Sequence, residues 1–388
     1  MGGNRKILVF ADWYEPGFKA GGPIRSCVNF VRYMRDSYSV YVFTTDRDLG
    51  SDGPYDDVAA DTWISPNQSG VHLYYCSPGN LTWSNIRGQL RAVQPDFIYL
   101  NSMFSTPFTI MPLLITRLSG VRANIVLSPR GMLRSSALQF KPLKKKVFLQ
   151  LFRWLGFHRR LTFHASDETE LRDVQRHFGP AVKVSMISNF PAALPETLTS
   201  IEKRQGELSL VFIGRIHPIK NLDYILKVLK QLRNRISFTI VGSQEDKAYW
   251  ETCSRLIDEL PENISVQYAG EIPHHDLPAI SIRHHIFVSP TQGENFGHAI
   301  FESLALGRPV LISDQTPWRG LPSVNAGWDL PLERPELFRQ VMEEAAGFDQ
   351  EEYNRWSQST FKFVQNFVEG STLKKEYLNL FNSRTQGG

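Results

Sequence analysis

Residues 291–313 read TQGENFGHAIFESLALGRPVLIS and decide the fold prediction. The apolar run HHIFVSP precedes this stretch, a helical pattern occupies its middle, and a second apolar run, PVLIS, ends it. A buried strand, a glycine-containing turn, a helix and another buried strand form one β-α-β unit of a parallel sheet. Ligands of such sheets bind beyond the carboxyl ends of the strands, where the turn lies.

Two glutamates occupy this unit eight positions apart. Glu294 falls in the turn, and Glu302 falls inside the helix that begins near Gly297, so they do not stack on one helical face. One such glutamate is most often a solvated helix charge. Two of them at a strand-to-helix transition indicate a polyol ligand, because one carboxylate can accept hydrogen bonds from two hydroxyl groups at once.

The same alternation of strand and helix patterns runs through most of the chain. Seven β-rich runs precede residue 190, and five more follow residue 207. Between them, FPAALPETLTSIEKRQGE loses apolar periodicity and gains proline and charge. We therefore predict an α/β fold with two doubly wound, Rossmann-like domains facing one another. The predicted bounds are 1–190 for the first domain, 191–207 for a linker, 208–368 for the second domain, and 369–388 for a terminal helix that packs toward the first domain.

Composition supports two ordinary globular domains. The chain has 388 residues, 42% of them hydrophobic and 21% charged, and this length exceeds that of one usual domain. No apolar run approaches the roughly 20 residues needed to span a bilayer. Cys27, Cys76 and Cys253 are odd in number and far apart, which argues against disulfides and zinc. We expect a cytoplasmic protein.

Two further turns follow buried strands and could contact a phosphate. Gly21 and Gly22 precede a helix, where backbone N–H groups can approach an anion, although a plain strand-to-helix turn has the same pattern. Arg215 and Lys220 follow the run LSLVFIG and could meet a diphosphate, although both could also be surface charges.

Other polar clusters are weaker candidates. Asp46–Arg47–Asp48 has the spacing of a metal clamp, but it follows only the second strand, and we interpret it as a loop or acceptor contact. The histidine pairs at 274–275 and 284–285 lack further ligands at zinc spacing and are interpreted as structural. We expect neither a bound metal nor a cofactor other than the donor substrate.

Three segments together resemble a known family. GENFGHAIFESLALGRPVLIS is similar to the E-x7-E segment of retaining glycosyltransferases of the GT-B fold, in particular glycosyltransferase family 4. FIGRIHPIKNLDYIL resembles that family's phosphate-contacting loop, and GGPIRS its N-terminal glycine loop. The segments come in the family's order and span both halves of the chain. The chain departs from the family at SPRGML, where Pro129 and Arg130 stand in place of a histidine that many members have.

The resemblance implies a role for each segment. Arg215, Lys220 and Glu294 would be the catalytic residues, with the two cations neutralising the diphosphate leaving group. Glu302 would hold the ribose of a nucleotide, while Glu294 and the backbone N–H groups of Asn295, Phe296 and Gly297 would hold the donor sugar. Gly21 and Gly22 would approach the diphosphate from the first domain.

The implied activity is a metal-independent, retaining transfer of a hexose from a nucleotide diphosphate sugar to a glycan or lipid-linked acceptor, in surface polysaccharide biosynthesis. Fixed cations would stabilise the charge that develops on the leaving phosphate. A nucleotide-sugar epimerase and a non-catalytic nucleotide-sugar-binding protein are the alternatives.

A basic region needs a separate explanation. Residues 97–166 contain eleven Lys and Arg and no Asp or Glu. Within 141–160, a predicted helix places Leu143, Val147, Leu151, Trp154 and Leu155 on one face. Such a helix could bind an anionic membrane surface as a peripheral protein, pack as an ordinary core helix, or attract a phosphate-bearing acceptor. Nucleic acid is not expected, since no recognition motif is present.

Overall fold

A computed structural model describes residues 5–66, 70–139 and 142–382. The described residues form two compact units. The first unit comprises the chain up to Phe190 together with the residues from Thr372 onward, and the second comprises Pro191–Ser371. The first unit is therefore built from two separate parts of the chain.

The first unit contains an eight-stranded sheet in the order β3-β4-β2-β1-β5-β6-β7-β8. All neighbouring pairs are parallel except β3 with β4, which is antiparallel and forms one edge. The strands are β1 (Lys6–Phe10), β2 (Ser39–Thr45), β3 (Trp63–Ile64), β4 (Val71–Cys76), β5 (Phe97–Leu100), β6 (Asn124–Leu127), β7 (Thr162–Ala165) and β8 (Val184–Met186).

The second unit contains a six-stranded, wholly parallel sheet in the order β11-β10-β9-β12-β13-β14. Counted within the unit this is the order 3-2-1-4-5-6 of a dinucleotide-binding domain. The strands are β9 (Glu207–Ile213), β10 (Arg235–Val241), β11 (Ile264–Gly270), β12 (Ile286–Ser289), β13 (Val310–Ser313) and β14 (Gly327–Leu330).

Helices cover both faces of each sheet. They are α1 (Gly22–Met34), α2 (Trp83–Val93), α3 (Met111–Ser119), α4 (Ser135–Leu138), α5 (Pro142–Trp154), α6 (Glu168–Phe178), α7 (Leu222–Leu229), α8 (Lys247–Asp258), α9 (Leu277–Ser281), α10 (His298–Ala305), α11 (Pro335–Gly347), α12 (Gln350–Glu369) and α13 (Leu373–Asn382).

Helix α13 completes the core of the first unit. Tyr377 stacks on Phe190 with ring centroids 4.3 Å apart, and Phe381 meets Tyr99 edge-on at 5.6 Å. Both helix side chains are nearly inaccessible to solvent. The predicted crossing of the last helix back to the first domain is therefore confirmed.

The segment that precedes β9 is fixed to the second unit. The buried Arg308 donates from Nη2 to the carbonyl oxygens of Thr199, at 2.8 Å, and Ile282, at 3.0 Å. The Lys203 ammonium donates to the carbonyl oxygens of Ala346 and Phe348 near the end of α11. The proline- and charge-rich segment is thus an extended and largely exposed chain that is anchored to the second unit at Thr199 and Lys203.

The structure also contains five elements that were not predicted. They are the short strands β3 and β14 and the helices α4, α9 and α11. The terminal helix predicted within 369–388 is α13, which residues 370–372 separate from α12, and residues 383–388 lie outside the described ranges. Helix α3 begins at Met111, directly after a single π-helical turn at Thr106–Ile110.

Candidate functional site

The candidate site lies where the strand order of the second sheet reverses. Strands β9 and β12 are neighbours at the centre of that sheet, and their crossover connections run to opposite sides. The loops after two such strands diverge and leave a crevice at the carboxyl edge, where ligands of these folds bind. Lys220 follows β9 and Glu294 follows β12. Topology alone therefore brings their loops to one place.

The Lys220 ammonium contacts the Glu294 carboxylate directly. Their side chains are 19% and 20% exposed, so the pair is largely shielded but open to a ligand. An ammonium has three N–H donors, and Lys220 can contact a phosphate oxygen without giving up Glu294. The structure thus brings together two of the three residues that the sequence analysis proposed as catalytic.

Hydrogen bonds between the two loops hold this pair in place. The carbonyl oxygen of Ile219 accepts from the Gln292 N–H at 2.8 Å and from the Thr291 hydroxyl at 3.1 Å. The Glu294 N–H donates to the carbonyl oxygen of Gln315 at 3.2 Å, which ties the turn to the loop after β13. Lys220 closes a short 3-10 turn that begins at Pro218. The two charged side chains therefore project from backbone segments that are bonded to each other.

The turn after Glu294 leads into α10 through a glycine in the left-handed region. Gly297 has φ 76° and precedes the first residue of the helix. The Phe296 side chain is buried against Trp318, whose indole N–H donates to the Phe296 carbonyl oxygen at 2.6 Å. Because the Phe296 ring is buried in the core, only its backbone remains for the donor-sugar contact proposed for this turn.

Glu302 lies on α10 with its carboxylate held by a histidine. Its Oε1 is 2.8 Å from Nε2 of His274, and the two side chains are 21% and 27% exposed. His274 follows the carboxyl end of β11. The sequence analysis interpreted this histidine as structural; its position after a strand at the carboxyl edge was the signal that could have marked it as a site residue.

Arg215 has a different partner from Lys220. Its Nη1 is 2.6 Å from a carboxylate oxygen of Glu245, and both side chains are more than one-third exposed. Glu245 comes after β10, so this second ion pair connects the loops that follow the neighbouring strands β9 and β10. The proposed diphosphate contact of Arg215 requires the guanidinium to share this carboxylate or to leave it.

The glycine loop of the first unit is held by an aspartate from the D-x-D motif. Gly21 has φ 65°, and Gly22 is the first residue of α1. Just before it, the Phe18 and Lys19 N–H groups donate to the Asp48 carboxylate at 2.7 and 3.1 Å. Asp46 pairs instead with Arg47 at 2.9 Å. Among the described ranges, no group of three or more His, Cys, Asp or Glu is placed to hold a metal ion.

Arg130 occupies the position where the sequence departs from the resembled family. It has φ 53°, and its Nη2 donates to the Asn101 side-chain oxygen at 2.6 Å and to the Tyr99 hydroxyl at 3.0 Å. Tyr99 in turn bonds Nδ1 of the buried His164 at 2.7 Å. Burial, followed by the charge of Arg130, lowers the pKa of His164 to about 3. The guanidinium is thus part of a buried polar network in the first unit.

Comparison with known proteins defines the second unit further. Residues 195–325 match the family model of glycosyl transferases group 1. This range includes β9 to β13 and the loops that follow them, where the side chains of the candidate site lie. The range matched by this family model thus contains the Lys220–Glu294 pair, the His274–Glu302 pair and the Arg215–Glu245 pair.

Individual proteins are similar over part or all of the chain. The O-antigen chain mannosyltransferase B of Escherichia coli is 29% identical over 142 residues, which are 34% of this chain and 35% of that protein. The sequence relatives are thus matched over less than half of their own length.

Solved structures are similar over nearly the full length. Anabaena Alr3699/HepE, solved with UDP and glucose, has a TM-score of 0.68 at 14% identity, covering 98% of this chain and all of that one. WaaG, a glycosyltransferase involved in lipopolysaccharide biosynthesis, has a TM-score of 0.63 at 13% identity, again covering 98% and 100%. The predicted fold class, two Rossmann-like domains of the GT-B type, is confirmed.

Proposed function

We propose that this protein is a glycosyltransferase that moves a sugar from a nucleoside diphosphate sugar to a glycan or lipid-linked acceptor. The observation that carries the proposal is the Lys220–Glu294 pair at the strand-order reversal of the glycosyl transferases group 1 domain. The E. coli relative is an O-antigen chain mannosyltransferase, and the Anabaena structure holds UDP and glucose. The Anabaena structure supports a nucleotide-linked donor, and the E. coli relative supports an acceptor of surface polysaccharide biosynthesis.

The charges of the site suit the bond that would break. Cleaving a sugar from a diphosphate leaves negative charge on the phosphate and positive character on the sugar. Lys220, with Arg215 nearby in the chain, supplies positive charge for the leaving group without a metal ion. The Glu294 carboxylate accepts hydrogen bonds from hydroxyl groups of the sugar, and the Glu302 carboxylate accepts hydrogen bonds from the ribose hydroxyl groups. We propose retention of the anomeric configuration, with a leaving-group phosphate oxygen receiving the acceptor proton.

Nucleotide binding is the first test. A thermal-shift series with UDP, GDP and ADP should raise the melting temperature of the wild-type protein with one of them, because a ligand that binds only the folded state stabilises it. The Lys220→Ala variant should lose most of that shift relative to its own ligand-free value. Lys230→Ala is the matched control, since Lys230 forms an exposed ion pair with Glu259 elsewhere in the same unit. An equal ligand-induced shift in the melting temperature of both variants would contradict the proposed nucleotide-binding site.

Turnover is the second test. With the matching nucleotide sugar and a glycan-containing membrane extract as acceptor, Glu294→Ala should lower the rate of nucleoside diphosphate release about 100-fold or more, as removal of a group that stabilises the transition state does. The control Glu259→Ala should retain the wild-type rate. Nucleotide binding without any release of nucleoside diphosphate would identify a binding protein and overturn the enzymatic proposal.

A further inference from the structure

Helix α5 presents an apolar stripe to solvent. Leu143, Val147, Leu151 and Trp154 are 78%, 54%, 51% and 81% exposed. At 100° per residue these four positions fall within roughly 80° of the helix circumference. They are four of the five residues that the sequence analysis placed on one face. A stripe of this kind is unusual, because large side chains exposed singly are common whereas contiguous ones mark an interaction surface.

A different face of α5 packs on the first unit. Leu149 and Phe152 are buried, and Phe152 contacts Phe157 and Phe178 with ring centroids 5.5 and 5.4 Å apart. Phe148 lies on this side as well, 5.3 Å from Phe104. The core is therefore filled by other residues, and the interpretation of the exposed stripe as an ordinary core face is excluded for the described residues of this helix.

Cations flank the stripe on both sides. Lys144, Lys146 and Arg153 are exposed; on a helical projection Lys144 lies next to Leu151, and the other two lie on the opposite edge. Lys145 points elsewhere, since its ammonium donates to the Ala137 carbonyl oxygen at 2.6 Å and lies over the Phe104 ring. Lys141, the first residue of the predicted 141–160 segment, lies outside the described residues.

The surface next to the C-terminal end of α5 continues the same chemistry. Arg117 of α3 donates to the Leu155 carbonyl oxygen at 2.5 Å, which joins the ends of the two helices. The following residue, Leu118, is 72% exposed. Arg159 and Arg160, just after α5, are exposed as well. The sequence from residue 97 to residue 166 contains no Asp or Glu.

We propose that this surface, the exposed stripe of α5 with its flanking cations, binds an anionic lipid bilayer. Side chains such as Leu and Trp enter the boundary between headgroups and acyl chains, while Lys and Arg on either side meet the lipid phosphates. In the part of the chain that the structure describes, no helix is both long and apolar enough to span a bilayer. The attachment is therefore peripheral and lies in the plane of the membrane. It concerns where the protein works and stands independently of the transfer reaction.

Vesicle flotation tests the charge requirement. Wild-type protein should float with vesicles of phosphatidylcholine and phosphatidylglycerol, and its partition coefficient should be at least about tenfold lower with phosphatidylcholine alone. The partition coefficient of the variant Lys144→Glu/Lys146→Glu/Arg153→Glu on the anionic vesicles should be lower than that of the wild type by at least the same factor. The control Arg32→Glu/Arg91→Glu/Lys183→Glu changes three exposed cations elsewhere in the first unit by the same amount and should bind like wild type. Equal recovery of the two triple variants would overturn the proposal.

Fluorescence quenching tests the insertion of the stripe. Lipids brominated on the acyl chain should quench the wild-type protein, and Trp154→Phe should lose most of that quenching while still floating. Leu143→Ser/Val147→Ser/Leu151→Ser should float poorly; the control Met186→Ser/Val324→Ser removes exposed apolar groups elsewhere and should not change flotation. A different outcome would overturn the proposal: the wild-type protein does not float but forms a concentration-dependent dimer, and the Leu/Val variant loses that dimer. The stripe would then be a contact between two copies of the chain.

Discussion

At the scale of single residues, the site is arranged as pairs of opposite or complementary groups. Lys220 contacts Glu294, Arg215 contacts Glu245, and His274 contacts Glu302. Each proposed ligand-binding side chain is thus already oriented by a neighbour from another loop. A side chain that is held in one orientation before the ligand arrives loses less conformational entropy on binding.

Removal of His274 should weaken nucleotide binding through Glu302. His274→Ala leaves the Glu302 carboxylate without its orienting partner, and we expect about a tenfold higher Kd for the nucleoside diphosphate that stabilises the wild-type protein. His274→Gln, which retains an N–H donor, should recover part of the affinity. Isothermal titration calorimetry measures both.

The neighbouring histidine provides the control for this experiment. The His275 side chain is 82% exposed and lies 3.5 Å from Asp276, so His275→Ala should leave the Kd unchanged. The same Kd for His274→Ala and His275→Ala would show that His274 does not orient a nucleotide-binding group.

At the scale of secondary-structure elements, close backbone contacts set the ends of the central strands in the second unit. Gly242 follows β10 with φ 144°, and a Cβ atom at this position would lie 1.9 Å from the carbonyl oxygen of Gly214. Gly214 follows β9 and precedes Arg215, and its N–H donates to the Val241 carbonyl oxygen at 3.0 Å. The turn that carries Arg215 is therefore positioned by the absence of a side chain on the adjacent strand.

Gly242→Ala should destabilise the second unit and displace this turn. The added methyl group must move backbone rather than a flexible side chain, so we expect a loss of roughly 2 kcal/mol or more in the free energy of unfolding. Gly347→Ala is the control, because Gly347 lies in helix α11 and has no atom within 4 Å of an added Cβ. Urea denaturation measures both variants, and similar midpoints would refute the steric argument.

Most strands could be predicted from the sequence, because most of them carry several buried apolar residues in a short run. Two of the β-rich runs noted in the sequence, SVYVFTT and VHLYYC, coincide with β2 and β4. Strand β3 has only two residues and forms an antiparallel edge, so it carries no such run. Strand β14, GWDL, includes Asp329, which accepts hydrogen bonds from the backbone N–H groups of Gly320 and Leu321. Because of this aspartate the strand does not form an apolar run in the sequence.

The contacts of the site could be predicted only in part. Patterning placed Lys220 and Glu294 after two buried strands, but their direct contact depends on which strands are neighbours, and a sequence does not contain that pairing without a fold. The partner Glu245 had no distinguishing pattern of its own, and His274 was marked only by its position after β11. Similarly, the exposed and buried faces of α5 both carry large apolar residues, so periodicity could not show which one meets the core.

At the scale of the whole molecule, each unit contains a buried histidine whose pKa is strongly lowered. Besides His164 in the first unit, His285 in the second is 6% exposed. Its Nδ1 accepts the Ser209 N–H at 2.9 Å, and its Nε2 bonds the Glu202 carbonyl oxygen at the same distance. Burial is the main cause that lowers the pKa of His285 to about 4. Both units therefore fold around a histidine that resists protonation.

Stability should fall as the pH is lowered from about 6.5 to about 4. In that window the unfolded chain binds a proton at His285 while the folded chain does not, so acid favours unfolding; above pH 6.5 the contribution is constant. At pH 5 the effect for this residue is on the order of 2 kcal/mol. Denaturation of wild type and His285→Asn at pH 7 and 5 measures it. The variant should show the smaller loss between the two pH values, and an equal loss would exclude His285 as a cause.

The division of the first unit between two parts of the chain sets an order of events during synthesis. Helix α13 leaves the ribosome only after every residue of the second unit has been translated. Until then Phe30, Phe97 and Tyr99 lack the aromatic rings of Tyr377 and Phe381 that cover them in the finished protein. Synthesis of the first unit therefore starts before that of the second unit and is completed after it. Until α13 emerges, the nascent chain carries an uncovered aromatic surface.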